Sequence, residues 1–266
     1  MQRRQFLKTS LAFSGAAGVT ALVSAAGQDS PPAREYYQLQ LYHLRRGPKQ
    51  KLFDDFFREA FIPAMNRVGL GPVGVFNVMT GPDSPTIYVL VRYPSLEAFA
   101  TGAQRLRADA EFLKAGADVM NAPATDPALV RMESSFMVAF EGMPKLEVPA
   151  GAAGNQPRIF ELRTYESHSK KANLKKIEMF NVGEIAIFRR AGLTPVFFGE
   201  TLIGTKLPNL TYLLVYESMT AKDKSWAAFG SDPEWKKLST TPGYTDAEIV
   251  SNISNVLLRP AAYSQI

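Results

Sequence analysis

The segments YQLQLYHLR at residues 37–45 and FELRTYESH at residues 160–168 share one pattern. Each has leucine at its third position and tyrosine at its sixth, and apolar residues alternate with polar ones along both. Alternation with a period of two is typical of a β-strand. A displacement of 123 residues places Leu39 on Leu162. The chain therefore contains an internal repeat, and a repeat on this scale decides the architecture.

The same displacement holds without a gap through most of each copy. GLGPV at residues 69–73 aligns with GLTPV at 192–196, and DAEF at 109–112 aligns with DPEW at 232–235. Past Phe112 the displacement becomes 120, because TDPALV then aligns with TDAEIV. We therefore expect two copies of one structural unit.

Each copy predicts the order strand, helix, strand, strand, helix, strand, which is the ferredoxin-like βαββαβ unit. The sheet of such a unit has helices on one face, so its other face must be covered by a second sheet. We predict an α+β fold in which two tandem ferredoxin-like units, residues 34–141 and 158–262, pack sheet-to-sheet as an intrachain dimeric α/β barrel. Residues 142–157, rich in proline, glycine and alanine, are the expected linker.

Local patterns place the first helix and hairpin. Apolar residues at three- and four-residue spacing predict an amphipathic helix over residues 49–68, which Pro63 interrupts and is expected to kink. Gly69 is expected to end this helix in a left-handed conformation. The turn sequence TGPDSP predicts a hairpin between strands at 73–79 and 86–93.

The first residues predict an export signal. Adjacent Arg3 and Arg4 precede an apolar run from Leu11 to Val23, and small residues follow. This pattern resembles a twin-arginine signal peptide over residues 1–26, which serves an export route for folded proteins. The mature protein is then expected in the periplasm, without a stable membrane anchor.

The net charge bears on the partners that are expected, and the absence of cysteine bears on how the fold is stabilised. Cleavage would remove Lys8 and two arginines, which lowers the formal net charge from +5 to +2. No run of basic residues interleaved with aromatic residues remains, so nucleic acid is not an expected partner. The chain contains no cysteine, so its core must hold the fold without disulfides.

Replacing both Arg3 and Arg4 by lysine is expected to block export, because the twin-arginine route reads that pair. The measurement is the amount of protein in the periplasmic fraction, compared with a variant in which only Lys8 is replaced by arginine. An unchanged periplasmic yield would exclude this route.

A family resemblance covers nearly all of the mature chain. It rests on FELRTY at 160–165, PVFFGE at 195–200, LTYLLVYES at 210–218 and SDPEW at 231–235. These segments resemble the NIPSNAP family. The resemblance implies a dimeric α/β-barrel-type fold. It implies little chemistry, because the family has no settled catalytic mechanism.

Strand alternation gives the candidate ligand-binding residues. If the leucines of the first strand in each copy face the helices, the residues between them face the space between the two sheets. Polar and aromatic residues at such positions suggest a cavity or a buried hydrogen-bonded network. The candidates are Gln38, Gln40, Tyr42, Glu161, Arg163 and Tyr165. The alternative is an Arg163–Glu161 pair that only fixes how the halves associate.

The second set of candidates comprises His43, His168, Trp226 and Trp235. Neither histidine has metal-ligand spacing, and zinc needs about four convergent ligands, so no metal site is expected. Haem through a histidine is a minority interpretation, and no cofactor is expected. The simplest expectation is that both histidines lie at the surface and both tryptophans in the core.

Two functions remain open from the sequence. One is a small-molecule-binding barrel, or a cofactor-free oxygenase or isomerase, with an apolar or aromatic ligand in the inter-sheet cavity. The other is a non-enzymatic module that binds an unidentified protein, with a homo-oligomer as one form. The sequence slightly favours the module, because no complete acid–base set is visible. A closed inter-sheet space would exclude the first function, and an open one would support it.

Overall fold

A computed structural model of the chain describes residues 33–80, 83–152 and 157–266. The predicted export signal, residues 1–26, lies outside these ranges, as do residues 153–156 of the predicted linker. No helix among the described residues is long and apolar enough to cross a membrane.

Strands and helices follow one another in the same order in both units. The strands are β1 Tyr36–His43, β2 Val73–Thr80, β3 Thr86–Tyr93, β4 Arg131–Ala139, β5 Ile159–Glu166, β6 Thr194–Ile203, β7 Asn209–Tyr216 and β8 Asn252–Pro260. The helices are α1 Lys49–Asp55, α2 Ile62–Arg67, α3 Leu96–Arg107, α4 Ala110–Ala115, α5 Ala117–Met120, α6 Lys170–Met179, α7 Ile185–Arg190, α8 Met219–Ser231, α9 Pro233–Ser239 and α10 Asp246–Ile249.

The eight strands close into one antiparallel barrel in the order β1-β3-β2-β8-β5-β7-β6-β4. Within it, the first unit contributes β4-β1-β3-β2 and the second contributes β8-β5-β7-β6, so the strand order is the same in both halves. The halves join where β2 pairs with β8 and where β4 pairs with β6. The predicted fold of two ferredoxin-like units packed as an intrachain barrel is confirmed.

The first helix of each unit contains a π-helical segment. In the first unit Phe56–Phe61 separates α1 from α2, and in the second Phe180–Glu184 separates α6 from α7. Pro63 lies in the first turn of α2, as expected of a proline near a helix start. The second segment contains no proline, so a π-helical segment at this position does not require one. Gly69 ends the first helix with φ +67°, as predicted.

Both faces of strands β1 and β5 are largely covered. Leu39 and Leu162 point into the barrel interior, where they pack with Phe76 and other apolar residues. Tyr42 and Tyr165 lie on the opposite face, beneath the helices.

The predicted assignment of faces is therefore wrong. The leucines line the space between the sheets, and the polar residues between them face the helices: Gln38, Gln40, Tyr42, Glu161, Arg163 and Tyr165. Alternation separates the two faces of a strand, but it cannot say which face lies inside when both are buried.

One end of the barrel interior is filled with aromatic rings. The rings of Tyr37 and Phe197 lie 4.9 Å apart, and those of Phe76 and Phe160 lie 4.8 Å apart, measured between centroids. All four side chains are fully buried. The opposite end, where β1 and β5 finish, carries smaller and more polar side chains, which leave space inside the barrel.

Candidate functional site

A cavity of about 210 Å³ opens at that end of the barrel, between the two sheets. We call it the barrel cavity. Its walls are Leu39, Leu41, Val78, Tyr88, Met137, Leu162 and Val256, with Ser135, Thr164, Thr201, Asn209, Thr211 and Ser254. Its mouth carries His43, Asp83, Glu133, Thr205 and Lys206. An engineered apolar cavity of about 150 Å³ holds benzene, so the barrel cavity can hold a compound with a single ring.

The two units contribute different chemistry at equivalent positions. On the interior face of the first unit Leu41 pairs with Tyr88, and in the second unit Thr164 pairs with Thr211. The displacement of 123 residues relates each residue of one pair to one of the other. One wall of the cavity is thus apolar and aromatic, and the other carries hydroxyl groups.

Hydrogen bonds fix the polar wall. Thr201 Oγ1 donates to Asn209 Oδ1 at 2.6 Å, and the Thr164 and Thr211 hydroxyl oxygens lie 3.0 Å apart. Asn209 Nδ2 donates to the carbonyls of Thr205 and Lys206. These contacts hold side chains that would otherwise rotate, so the wall is arranged before any ligand enters.

Lys206 occupies an unusual backbone conformation in the loop between β6 and β7. Its φ is +60°, in the left-handed region that L-residues other than glycine rarely adopt. The two bonds from Asn209 Nδ2 to this loop support the conformation. The Lys206 ammonium lies 3.4 Å from Ser254 Oγ and 3.9 Å from Glu166 Oε1. The loop therefore holds a positive charge at the cavity mouth.

His43 lies on the first-unit side of the mouth and is buried, contrary to the prediction of a surface histidine. Its Nε2 lies 3.0 Å from Glu133 Oε1, although not aligned as a directed hydrogen bond, and its Nδ1 lies 3.7 Å from Asp83 Oδ2. The residue ends β1 on the interior face, which strand alternation from Leu39 requires.

The hydrogen-bond pattern assigns the tautomer of His43. The Thr86 hydroxyl donates its one proton to the Asp83 carbonyl at 2.7 Å. His43 Nδ1, 3.3 Å from the same hydroxyl oxygen, must therefore donate to it. Nε2, the other ring nitrogen, faces the Glu133 carboxylate at 3.0 Å. His43 and Glu133 are thus placed to hold or pass on one proton between them.

Two further groups complete this side of the mouth. Arg131 donates to Glu133 at 3.0 Å and to Asp83 at 3.1 Å, which balances part of their negative charge. Burial, followed by the charges of Glu133 and Asp83, raises the pKa of the Tyr88 hydroxyl to about 12. Tyr88 therefore remains protonated at neutral pH and can donate a hydrogen bond.

The candidates predicted on β5 form a separate cluster, buried under helix α8. Glu161 is fully buried and its carboxylate accepts from four donors: Arg163 at 2.9 Å, Trp226 at 2.9 Å, Tyr216 at 3.0 Å and Asn255 at 3.1 Å. We call these residues, with Tyr165, the Glu161 cluster. The predicted Glu161–Arg163 pair is present, but it lies beneath the helices rather than between the sheets.

The charges in the Glu161 cluster compensate one another. Desolvation would raise the pKa of Glu161, but Arg163 and the hydrogen bonds from Trp226 and Asn255 outweigh it, so the pKa lies below the ordinary value. The Arg163 guanidinium stacks over the Trp226 ring at 4.5 Å and donates to the Tyr165 hydroxyl at 3.3 Å. None of the residues of this network lines the barrel cavity.

The corresponding positions of the first unit are uncharged. Gln38 accepts from the Tyr93 hydroxyl and donates to Ser134, and Gln40 accepts from Tyr42. The predicted polar candidates of β1 are therefore hydrogen-bonded within the first unit, on the face that the helices cover.

A second buried ion pair lies near the Glu161 cluster. Lys176 Nζ donates to Glu184 Oε2 at 3.1 Å, with both side chains almost fully buried. The ammonium also lies 5.5 Å from the Tyr165 ring, 5.2 Å from Phe180 and 5.6 Å from Trp235, measured to the centroids. Asp246 Oδ1 lies 3.7 Å from the ammonium, so three aromatic rings and two carboxylates surround this lysine.

The remaining candidates are not near the barrel cavity. His168 is exposed beyond the end of β5, as predicted. Trp235 packs on Phe229 with 4.3 Å between ring centroids, which agrees with its predicted core role. Trp226 combines packing against Phe188 with its bond to Glu161.

Sequence reasoning did not find the polar wall of the barrel cavity. The available signal was the exchange of Leu41 and Tyr88 in one copy for Thr164 and Thr211 in the other. That exchange has meaning only once both pairs are known to face the interior.

These features define the class of protein as a dimeric α/β barrel formed within one chain. Several solved structures share the fold. A proposed monooxygenase from Fusobacterium nucleatum is 9% identical, with 86% of this chain and 93% of that chain covered and a TM-score of 0.55. A proposed monooxygenase from Lactobacillus acidophilus is 8% identical over 85% and 94% of the two chains, with a TM-score of 0.50.

The chain belongs to the NIPSNAP family, which its sequence matches over residues 37–144 and 160–265. An uncharacterized NIPSNAP-like domain protein from Burkholderia xenovorans is 23% identical, covering 41% of this chain and 90% of that one, with a TM-score of 0.38. None of the curated proteins matches the sequence. Two family domains in tandem thus form one barrel.

Proposed function

We propose that this NIPSNAP protein binds a small, single-ring molecule inside the barrel cavity. The observation that carries the proposal is the open space between the sheets, with apolar walls and fixed hydroxyl and amide groups. Sites of this composition are typical of small-molecule binding. Its volume is below the roughly 300 Å³ at which drug-sized ligand sites begin, so the ligand is correspondingly small.

The mouth of the cavity adds the capacity for proton transfer. Glu133 can accept a proton from a ligand hydroxyl or an activated C–H group, and His43 Nε2, 3.0 Å from the carboxylate, can share that proton. Tyr88 and Lys206 can donate hydrogen bonds to an oxygen that gains negative charge. These roles support an isomerase-type reaction as the extension of binding. Solved neighbours described as proposed monooxygenases are compatible with a ligand inside this fold.

Filling the cavity is expected to abolish ligand binding. Val256→Phe places a ring in the available space, whereas Leu202→Phe, at an exposed position on β6, serves as the matched control. Saturation-transfer NMR with phenol, catechol and hydroquinone should show ligand signals with the wild type and the control, and none with Val256→Phe. Equal signals from both variants would contradict binding in the barrel cavity.

Replacing His43 tests whether ligand binding and proton transfer depend on different residues. His43→Gln should retain the NMR signals of a bound phenol and lose any protein-dependent exchange of ring hydrogens for deuterium. Exchange that continues in His43→Gln would exclude a role for His43 in the proton transfer. If no single-ring compound binds the wild type, the interaction module is favoured instead.

A further inference from the structure

A second cavity lies at the opposite, aromatic end of the barrel, where β5 begins and β7 and β8 finish. It has a volume of about 460 Å³ and is open to solvent. Its lining includes Arg158, Glu217, Ser218, Met219 and Arg259. We call it the Arg158 cavity. It shares no residue with the barrel cavity.

Arg158 is buried, and no acidic side chain among the described residues forms a salt bridge with it. Its side chain is 7% exposed, and its Nε and Nη1 have no hydrogen-bond partner among the described residues. The guanidinium lies 5.8 Å from the centroid of the Phe160 ring. Burial lowers the pKa of Arg158, and no neighbouring charge counteracts that effect. A buried charge with no partner is costly, so such groups are normally paired.

The first unit shows how the same position is satisfied when the partner is internal. The displacement of 123 residues relates Arg158 to Glu35, which is equally buried. Arg92 Nε donates to Glu35 Oε1 at 2.8 Å, and the backbone N–H of Leu146 donates to Oε2 at 2.8 Å. The position equivalent to Arg92 is Val215. The second unit thus has a buried positive charge where the first has a buried negative one, and the position of the partner holds an uncharged valine.

A helix start faces the same cavity. Ser218 caps the 13-residue helix α8 by accepting from the backbone N–H of Ala221 at 3.1 Å. The first amide groups of a helix have no partner within the helix, and the helix dipole makes this end positive. Arg259 adds a further positive charge, and the exposed Glu217 carboxylate is the one acidic group of the lining.

We propose that the Arg158 cavity binds an oxyanion, a phosphate or carboxylate group, between the Arg158 guanidinium and the first amide groups of α8. The bound anion would balance the charge of Arg158, as Arg92 balances the charge of Glu35 in the first unit.

The test uses inorganic phosphate and acetate as probes, at constant ionic strength set with sodium chloride. The wild type should gain about 3–5 °C in Tm at ten times the dissociation constant of the preferred anion. Arg158→Met should lose this gain, and without anion it should melt no lower than the wild type, because it removes an uncompensated buried charge. Arg105→Met, an exposed arginine on α3, is the matched control and should keep the full gain.

A second variant tests the site without removing Arg158. Glu217→Gln eliminates the acidic group of the lining and should tighten phosphate or acetate binding in isothermal titration calorimetry. A larger gain with phosphate than with acetate identifies a phosphoryl ligand, and the reverse identifies a carboxylate. Equal anion responses in wild type and Arg158→Met, or no response in the wild type, would overturn the proposal.

Discussion

Glu161→Gln is expected to destabilise the protein by about 3–5 kcal/mol, because it leaves a buried guanidinium without its carboxylate. The glutamine side chain keeps the shape of the site but offers one accepting oxygen to four donors. The N–H groups of the glutamine amide would also face hydrogen-bond donors, with which they cannot bond. The free energy of unfolding from urea titrations at pH 7 measures the loss.

The double variant tests whether the loss comes from the unpaired charge. Glu161→Gln combined with Arg163→Met removes both charges and should recover part of the lost stability. The first unit supplies the precedent, since it carries Gln38 and Gln40 at these positions. A double variant less stable than Glu161→Gln would contradict the assignment. Glu178→Gln, in an exposed pair with Lys175, is the control and should remain close to the wild type.

The pH dependence of folding stability follows from the direction in which the pKa of Glu161 is shifted. The folded-state pKa lies below the ordinary value of 4.5, so folding favours the ionised form. The stability that Glu161 contributes is present above that ordinary value and is lost as the pH falls through the folded-state pKa. Glu161→Gln should therefore differ most from the wild type at neutral pH and least in strong acid. A difference that grows on acidification would contradict this sign.

Lys176→Met is the second change with a large expected effect, again about 3–5 kcal/mol at pH 7, because Glu184 loses its buried partner. Burial already raises the pKa of Glu184, with Lys176 opposing that effect. Without the lysine the folded state should bind a proton more tightly than the unfolded state. The deficit should therefore shrink as the pH falls from 7 to 5, which urea titrations at both values would measure.

The neighbouring lysine provides the matched control. Lys175→Met, one residue earlier on α6, removes an exposed charge and should leave stability close to that of the wild type. The double variant Lys176→Met with Glu184→Met should recover stability relative to Lys176→Met alone. The first unit has Phe53 and Phe61 at the equivalent positions, both buried in an apolar core. A double variant as unstable as the single one would indicate that the aromatic contacts, rather than the charge pair, dominate.

The fold could be predicted because a repeat constrains every element twice. The shared pattern of Leu39 and Leu162 gave the first strand of each unit, and the ungapped displacement required equal strand order. The site could not be placed, because the helices cover one face of each sheet and the other sheet covers its second face. Alternation then separates the residues of a strand into two buried sets, but it does not tell which set faces the helices and which faces the other sheet.

Individual residues illustrate the same limit. Arg163 and Glu161 were correctly expected to pair, because residues two apart on a strand are neighbours on one face. His43 was expected at the surface because it ends a strand, yet the closed barrel buries it beside Glu133. The sequence does not show that Arg158 is unpaired. In the first unit the equivalent residue, Glu35, has a charged partner in Arg92, whereas the position equivalent to Arg92 in the second unit is the uncharged Val215.

Joining two units in one chain also decides how a ligand can lie in the barrel. In a dimer of identical subunits a central cavity has two-fold symmetry, so a ligand can enter in two equivalent orientations. Here Asp83 and Lys206 occupy equivalent loops with opposite charges, and Leu41 and Thr164 occupy equivalent strand positions. The two orientations therefore differ in energy. A ligand with one polar and one apolar side would be held in a single direction, as stereospecific chemistry requires.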